Sequence, residues 1–184
     1  MSPSRHHIPR LHPEDHQAAW YAVYTKSRCE KVVRGHLEQQ GLETFLPEQW
    51  RWSRRRDRRL ALRVPLFPGY LFVRLAPRGD MYLRTLRTPG VVRLLGQGPA
   101  GPLPVPGHEV ESLRVLVHSR LRLEPVPYLR RGDRVLITHG PLAGARGVVV
   151  RRRGQSRLVV AVDIMQRAVS VELDEATLEK AEAA

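Results

Sequence analysis

The sequence predicts an α+β protein with two parts, a mixed N-terminal part and a small C-terminal β-barrel. In the N-terminal part, β-rich segments alternate with amphipathic helical segments, an order that favours a mostly antiparallel sheet flanked by helices. The C-terminal part contains four β-rich segments at short intervals, with glycine-containing turns between them. A stretch with two prolines and no apolar pattern separates the two parts and is predicted to be a linker.

The charge of the chain indicates a polyanionic partner. Its 184 residues include 31 Lys+Arg and 18 Asp+Glu, which gives a formal net charge of +13 at pH 7. Nucleic acid is the first candidate for a partner of such a protein. The single cysteine, Cys29, excludes an internal disulfide and a zinc site built from cysteines. No apolar run is long enough to span a membrane and no signal peptide is visible, so we expect a cytoplasmic protein.

Residues 1–18 are predicted to form a flexible tail, because they show no apolar periodicity. Four histidines lie in this tail, but their spacing fits no tight metal site. We therefore expect neither a bound metal nor a cofactor.

The first strand is predicted at 20–25, and a helix follows it. Ser27 has the character of an N-cap, and Glu30 three positions later would complete a capping box. Lys26 and Arg34 lie near the start or on the outer face of this helix. These cations belong either to a solvated polar face or to an edge that contacts phosphates.

Extended segments on both sides of a basic run predict a hairpin with a basic tip. The tip contains five arginines, which are Arg54, Arg55, Arg56, Arg58 and Arg59. A run of charges is usually a solvated loop. Trp50 and Trp52 nevertheless favour contact with nucleic acid, because aromatic rings stack on bases while arginines hold phosphates. The sequence leaves both interpretations open.

A stiff loop is predicted ahead of the next short, buried strand. Pro65 and Pro68 fix their own φ and restrain their neighbours toward extended geometry, and Gly69 lets the chain turn into the strand. The loop would present Leu66 and Phe67 at the edge of the strand. Either both side chains belong to the core, or they form a rigid apolar contact patch.

The remaining elements follow the same reasoning. Helices are predicted near 80–86 and 109–117 with a strand at 91–95 between them, and β-segments are predicted at 134–138, 146–151, 157–162 and 168–173, followed by helical turns at 175–182. We therefore divide the chain into a tail at 1–18, an N-terminal domain at 19–118, a linker at 119–128 and a C-terminal barrel domain at 129–184.

Two groups of segments resemble the NusG family of transcription elongation factors. The strand WYAVYT, the helix after it and the segment FPGYLFV are similar to the N-terminal, or NGN, domain of that family. The segment 132–149 resembles a KOW motif, whose glycines permit the tight turn between two barrel strands. The motif residues are Gly132, Val135, Ile137, Gly140, Gly144, Gly147 and Val149. The order of the domains and the position of the linker match as well.

The resemblance implies a transcription elongation and antitermination factor rather than an enzyme. The N-terminal domain of NusG-like proteins sits on the clamp helices of the largest catalytic subunit of RNA polymerase, bridges the DNA cleft and reduces pausing. By position, the residues of this chain that would meet the clamp are Leu66, Phe67, Pro68 and Tyr70. The resemblance thus favours the exposed contact patch over the core for the proline-rich loop.

The resemblance also implies a second partner for the barrel domain. In the family this domain recruits either the termination factor Rho or a small-subunit ribosomal protein. Ile164, Met165 and Arg167 fall where NusG-like proteins present their docking edge. The alternative is that Ile164 and Met165 fold back over the open end of the barrel. We expect the protein to be a monomer that links RNA polymerase to the partner of its barrel domain.

Within the family, some segments resemble specialised paralogues that serve a few long operons. In a specialised relative the non-template DNA strand is read from the first helix, and Lys26 and His36 fall on matching positions. The basic hairpin would contact this strand or the upstream DNA duplex. A housekeeping NusG is the alternative within the family.

Two further classes of protein compete with this interpretation. A KOW-containing ribosomal or RNA-binding protein would suit the basic charge and the barrel, but it does not explain the apolar loop at Phe67. An enzyme such as a nuclease would need a carboxylate cluster, a metal constellation or a nucleotide-binding loop, and the sequence shows none of these.

Overall fold

Three antiparallel sheets and three helices make up the part of the chain that the structure describes. The structure is a computed structural model that describes residues 17–52, 60–77, 79–96, 101–128, 132–152, 155–174, 177 and 181–183. The predicted α+β class is confirmed, because three α-helices lie in the described N-terminal residues and most of the described C-terminal residues form strands. No helix within these residues is long and apolar enough to cross a membrane.

The N-terminal part is a four-stranded sheet covered by helices on both faces. Its strands are β1 (Ala19–Thr25), β2 (Glu43–Phe45), β5 (Tyr70–Leu75) and β6 (Val91–Leu94), and they lie in the order β2-β5-β1-β6. The helices are α1 (Glu30–Gln39), α2 (Asp80–Arg87) and α3 (Gly107–His118). Because neighbouring side chains of a strand point to opposite faces, one face of β1 packs with α1 and α2 and the other packs with α3.

The predicted hairpin forms a separate two-stranded ribbon beside this sheet. Strand β3 (Glu48–Trp52) pairs with β4 (Ala61–Pro65), so that Trp50 lies opposite Arg63. The basic tip itself, with Arg54, Arg55, Arg56, Arg58 and Arg59, lies outside the described residues.

The C-terminal part is a six-stranded antiparallel sheet. Its strands are β7 (Leu123–Val126), β8 (Asp133–Ile137), β9 (Arg146–Arg152), β10 (Gln155–Val162), β11 (Arg167–Leu173) and β12 (Ala181–Ala183), in the order β12-β8-β9-β10-β11-β7. A 3-10 turn at Asp163–Met165 joins β10 to β11. The inward side chains of β10 and β11 are almost all aliphatic, and most of them are valine. Because β-branched side chains favour strands over helices, these segments form strands.

The predicted linker at 119–128 is not a linker throughout, because strand β7 lies within it. Leu123 is buried, and β7 pairs with β11 at the end of the sheet. Proline is tolerated in an edge strand, where one side of the backbone needs no partner, so Pro125 does not prevent the pairing. A hydrogen bond from Arg157 on β10 to Glu124 lowers the pKa of that carboxyl group and ties β7 to the sheet further.

Two other local predictions were wrong. Ser27 does not cap α1: the helix begins at Glu30 after Cys29, with no side-chain cap, because Arg28 takes a left-handed conformation at φ 62°. The predicted C-terminal helical turns do not continue to residue 182, since Ala181–Ala183 pairs with the otherwise open edge of β8.

The C-terminal sheet packs against α3 of the N-terminal part. The amide of Arg146 donates a hydrogen bond of 2.9 Å to the Ser112 hydroxyl, and the amide of Asp163 donates one of 3.3 Å to Glu109. One hydrophobic cluster runs through this junction and contains buried residues of both parts. The two parts therefore share a core in this structure.

Candidate interaction surfaces

The proline-rich loop is held in place from both sides. Gly69 has φ +85°, which suits glycine, and its amide donates a hydrogen bond of 2.6 Å to the buried carboxylate of Glu30. The Gly69 carbonyl accepts a hydrogen bond from the amide of Thr25 at 2.8 Å, and the amide of Leu66 donates to the carbonyl of Pro47 at the same distance. Glu30 thus orders this loop instead of closing a capping box.

The predicted exposed patch at Leu66 and Phe67 is not present in this structure. Leu66 is 1% exposed and Phe67 is 3% exposed, so the other interpretation, in which both belong to the core, is the one observed. Both side chains lie in the cluster that spans the two parts of the protein. The sequence could not separate the two interpretations, because the burial depends on packing between distant segments. Whether these residues bind polymerase stays a prediction.

The accessible surface beside the loop is aromatic. Pro68 is exposed, and the ring of Tyr70 lies 5.2 Å from the ring of Tyr24 on the neighbouring strand. Arg93 on β6 lies over the face of Tyr24 at 5.9 Å. Neither Tyr24 nor Arg93 was predicted from the sequence to belong to this surface, although the alternation of β1 indicates that Tyr24 points away from Tyr21 and Val23.

Replacing Glu30 with alanine is expected to destabilise the protein by about 1–3 kcal/mol, because the amide of Gly69 would be left buried without an acceptor. Glu30→Gln keeps an oxygen that accepts this hydrogen bond and is expected to cost less. Urea denaturation of both variants tests the difference. Equal stability of Glu30→Ala and the wild type would mean that the loop is not anchored there.

The cations of α1 brace the hairpin. Lys31 forms an ion pair of 3.0 Å with Glu48 on β3 and donates a hydrogen bond of 2.9 Å to the carbonyl of Arg63 on β4. Arg34 contacts the same carboxylate at 3.3 Å. The side chain of Glu48 is only 8% exposed, so these charges are held close together with little water. The base of the hairpin is therefore fixed to the helix.

The predicted nucleic-acid residues of α1 differ in accessibility. Lys26 is exposed, whereas Arg34 is half-buried and already paired with Glu48 and Glu38. His36 is half-buried, and its Nδ1 atom has no hydrogen-bond partner among the described residues. Contact of all three with nucleic acid stays a prediction, and Lys26 is the one whose charge is open to solvent.

The glycines of the KOW-like segment occupy positions that favour glycine. Gly140 and Gly144 have φ of +82° and +88° in the turn between β8 and β9, and Gly132 has φ of +140° ahead of β8. A Cβ atom on Gly147 would lie 2.5 Å from the carbonyl oxygen of Val159 on the adjacent strand. The matched aliphatic residues are buried, namely Val135, Ile137 and Val149.

The predicted partner-docking edge lies at the junction of the two parts. Met165 is 6% exposed, and Ile164 lies so close to Gly96 of the N-terminal part that a Cβ atom added there would come within 2.5 Å of its Cδ1 atom. Arg167 is exposed at the start of β11. In this structure Met165 is buried in the cluster that spans both parts, and Ile164 is half-buried against that cluster and close to Gly96 of the N-terminal part.

Comparison with known proteins identifies the family. The chain matches a family model described as "Transcription termination factor nusG" over residues 18–114. It is 28% identical over 172 residues to the "Transcription termination/antitermination protein NusG" of Pseudomonas aeruginosa, covering 88% of this chain and 97% of that relative. The protein of the same name from Synechocystis sp. is 28% identical over 182 residues, with 88% of each chain covered.

A solved structure shares the fold. The structure titled "Domain interaction in Thermotoga maritima NusG" has a TM-score of 0.50 and 22% sequence identity, and the match covers 91% of this chain and 97% of that one. The fold is therefore the two-part α+β architecture of that protein. Together with the family match over more than half of the chain, this shows that the chain belongs to the NusG family.

Proposed function

We propose that this protein is a transcription elongation and antitermination factor. Its N-terminal part binds the clamp helices of the largest RNA polymerase subunit and suppresses pausing. The observation that carries the proposal is the ordered loop at Leu66–Tyr70 in a member of the NusG family, at the position where such proteins meet polymerase. Glu30 holds this loop, and Pro68 and Tyr70 give it an accessible aromatic surface next to Tyr24.

The proposal assigns the second contact to the C-terminal part. Ile164, Met165 and Arg167 form the edge that recruits a small-subunit ribosomal protein or Rho. Because Ile164 lies close to Gly96 of the N-terminal part and Met165 is buried, this edge becomes available only after the C-terminal sheet has left α3. Such an opening would break the hydrogen bonds of Ser112 and Glu109 with the amides of Arg146 and Asp163 and separate the cluster that the two parts share.

Replacing Tyr70 with alanine tests the polymerase contact. The variant is expected to bind core RNA polymerase roughly tenfold or more weakly, because a half-exposed ring is removed from the centre of the proposed interface. Biolayer interferometry with purified proteins measures the affinity. Leu121→Ala removes an exposed apolar side chain outside the loop and is the control.

Two results would contradict the assignment. If a folded Tyr70→Ala variant bound core RNA polymerase with the affinity of the wild type, this surface would not be part of the interface. Retention of the wild-type protein on ribosomes without any affinity for core polymerase would favour the KOW-containing RNA-binding class instead.

We also propose that the chain is a specialised paralogue that contacts the non-template strand through Lys26 and His36. Lys26 is exposed near the loop at Gly90, to which its amide is hydrogen-bonded. Genome occupancy of the tagged protein tests this point, because a paralogue is expected at a few operons and a housekeeping factor at most transcribed genes.

A further inference from the structure

The ribbon of β3 and β4 presents two tryptophans to solvent. Trp50 is 63% exposed and Trp52 is 71% exposed, although large aromatic side chains normally contribute to a core. Both lie on the same face of the ribbon, because they are two residues apart in one strand. Arg63, opposite Trp50, shares this face and lies 5.0 Å from the centre of the indole. An exposed aromatic face of this kind indicates a binding surface.

The ribbon is fixed well enough to serve as a platform. Lys31 holds β3 through Glu48 and holds β4 through the carbonyl of Arg63. Arg34 contacts Glu48 as well, so the two cations of α1 that lie nearest the ribbon act as its braces. The tryptophans therefore project from an anchored base, and less conformational entropy is lost when a ligand binds.

The positive charge of the ribbon indicates that its ligand is a polyanion. Residues 50–63 contain seven arginines and one aspartate. Among the described residues, Arg63 is exposed on the same face as the tryptophans and forms no ion pair with a described carboxylate, whereas Arg51 lies on the opposite face with Leu62. A surface that combines an exposed arginine with exposed indoles is complementary to a strand that offers phosphates and unpaired bases together. A duplex offers its phosphates but keeps its bases stacked on one another.

The spacing of the tryptophans agrees with a single strand. Cα atoms two residues apart in a β-strand are separated by roughly 6.7 Å, which is about twice the 3.4 Å spacing of stacked bases. Indoles that project in parallel from Cα atoms at that spacing would leave room for one base between them. From the exposure, the charge and this spacing, we propose that Trp50 and Trp52 form a stacking site for single-stranded DNA, with Arg63 on its phosphates. This inference rests on the proposed function for the identity of the strand as DNA.

The test uses the full chain and labelled oligonucleotides without polymerase, so its outcome is independent of the clamp contact. We expect a 15-nucleotide mixed-sequence DNA strand to bind more tightly than the corresponding 15-base-pair duplex in fluorescence anisotropy. The intrinsic fluorescence reports stacking directly, because two of the three tryptophans lie on the ribbon while Trp20 is half-buried beneath Arg114. We expect a saturating concentration of the single-stranded DNA to quench most of the fluorescence of the two exposed tryptophans.

Substitutions locate the site. Trp50→Ala and Trp52→Ala are each expected to weaken single-strand binding roughly tenfold, while Trp52→Phe keeps a ring and loses less. Leu62→Ala, on the opposite face of the same ribbon, is the matched control and is expected to bind as the wild type does. Arg63→Ala is expected to reduce the slope of log affinity against log salt concentration by about 0.7.

Several results would overturn the proposal. Duplex binding as tight as single-strand binding, or binding without quenching, would exclude stacking, and tighter binding of the same sequence as RNA would exclude DNA as the ligand. A Trp50→Ala/Trp52→Ala variant with the DNA affinity of the wild type would exclude the site. If that variant instead lost affinity for core polymerase, the ribbon would be a protein-docking surface.

Discussion

Replacing Phe67 with alanine is expected to destabilise the protein by about 3–5 kcal/mol, the usual cost of removing a buried phenylalanine. Phe67 is 3% exposed and lies in the cluster shared by the two parts of the fold. The loss combines the transfer free energy of the ring with the cavity that remains, because a loop anchored by Glu30 has little freedom to collapse. Urea denaturation followed by circular dichroism measures the change.

Phe67→Leu is the matched variant, since it keeps most of the apolar volume and is expected to lose clearly less stability. A Phe67→Ala variant as stable as the wild type would show that the ring is exposed in solution. The expected loss also affects binding assays, because weak polymerase binding by Phe67→Ala would report unfolding together with any lost contact. Tyr70 and Pro68 are accessible, so substitutions there can weaken polymerase binding without unfolding the protein.

Replacing Gly147 with alanine is expected to destabilise the C-terminal sheet by about 1–3 kcal/mol or more, because the added methyl group has no space. Its Cβ atom would lie 2.5 Å from the carbonyl oxygen of Val159 and 2.9 Å from the side chain of Leu158. The carbonyl oxygen of Val159 belongs to the backbone of β10, which is paired with β9. It can move away from an added methyl group only if this pairing shifts.

Gly35→Ala is the matched control for this substitution. Gly35 lies within α1, and nothing would contact a Cβ atom added there. Alanine is the better helix former, so this variant is expected to gain roughly 0.5–1 kcal/mol. Thermal unfolding of the two variants should therefore move in opposite directions, and a Gly147→Ala variant that unfolds at the wild-type temperature would contradict the close approach of β9 and β10.

Helices and strands whose apolar residues recur with a clear period could be predicted from the sequence. The predicted strand at 20–25 corresponds to β1 (Ala19–Thr25), and the helices predicted at 80–86 and 109–117 correspond to α2 and α3 with ends that differ by at most two residues. The hairpin was also predicted correctly, because two extended segments that flank a polar turn have few other ways to pair their backbones.

Features that depend on tertiary contacts could not be predicted. Glu30 had the spacing of a capping box, but its carboxylate is drawn to the amide of Gly69, a partner 39 residues away. The prolines of 119–128 indicated a linker, and only the position of β7 at the edge of a sheet makes Pro125 compatible with a strand. The burial of Phe67 and Met165 likewise arises where two distant parts of the chain share one core.

Strand β7 also limits how far the two parts of the molecule can separate. With β7 paired to β11, only residues 119–122 connect α3 to the C-terminal sheet, and four extended residues span at most roughly 14 Å. If β7 detaches, the connection grows to residues 119–132, which can reach roughly 50 Å. The pairing of β7 with β11 therefore sets the length of the connection, and its loss would let the C-terminal sheet move several times farther from the N-terminal part.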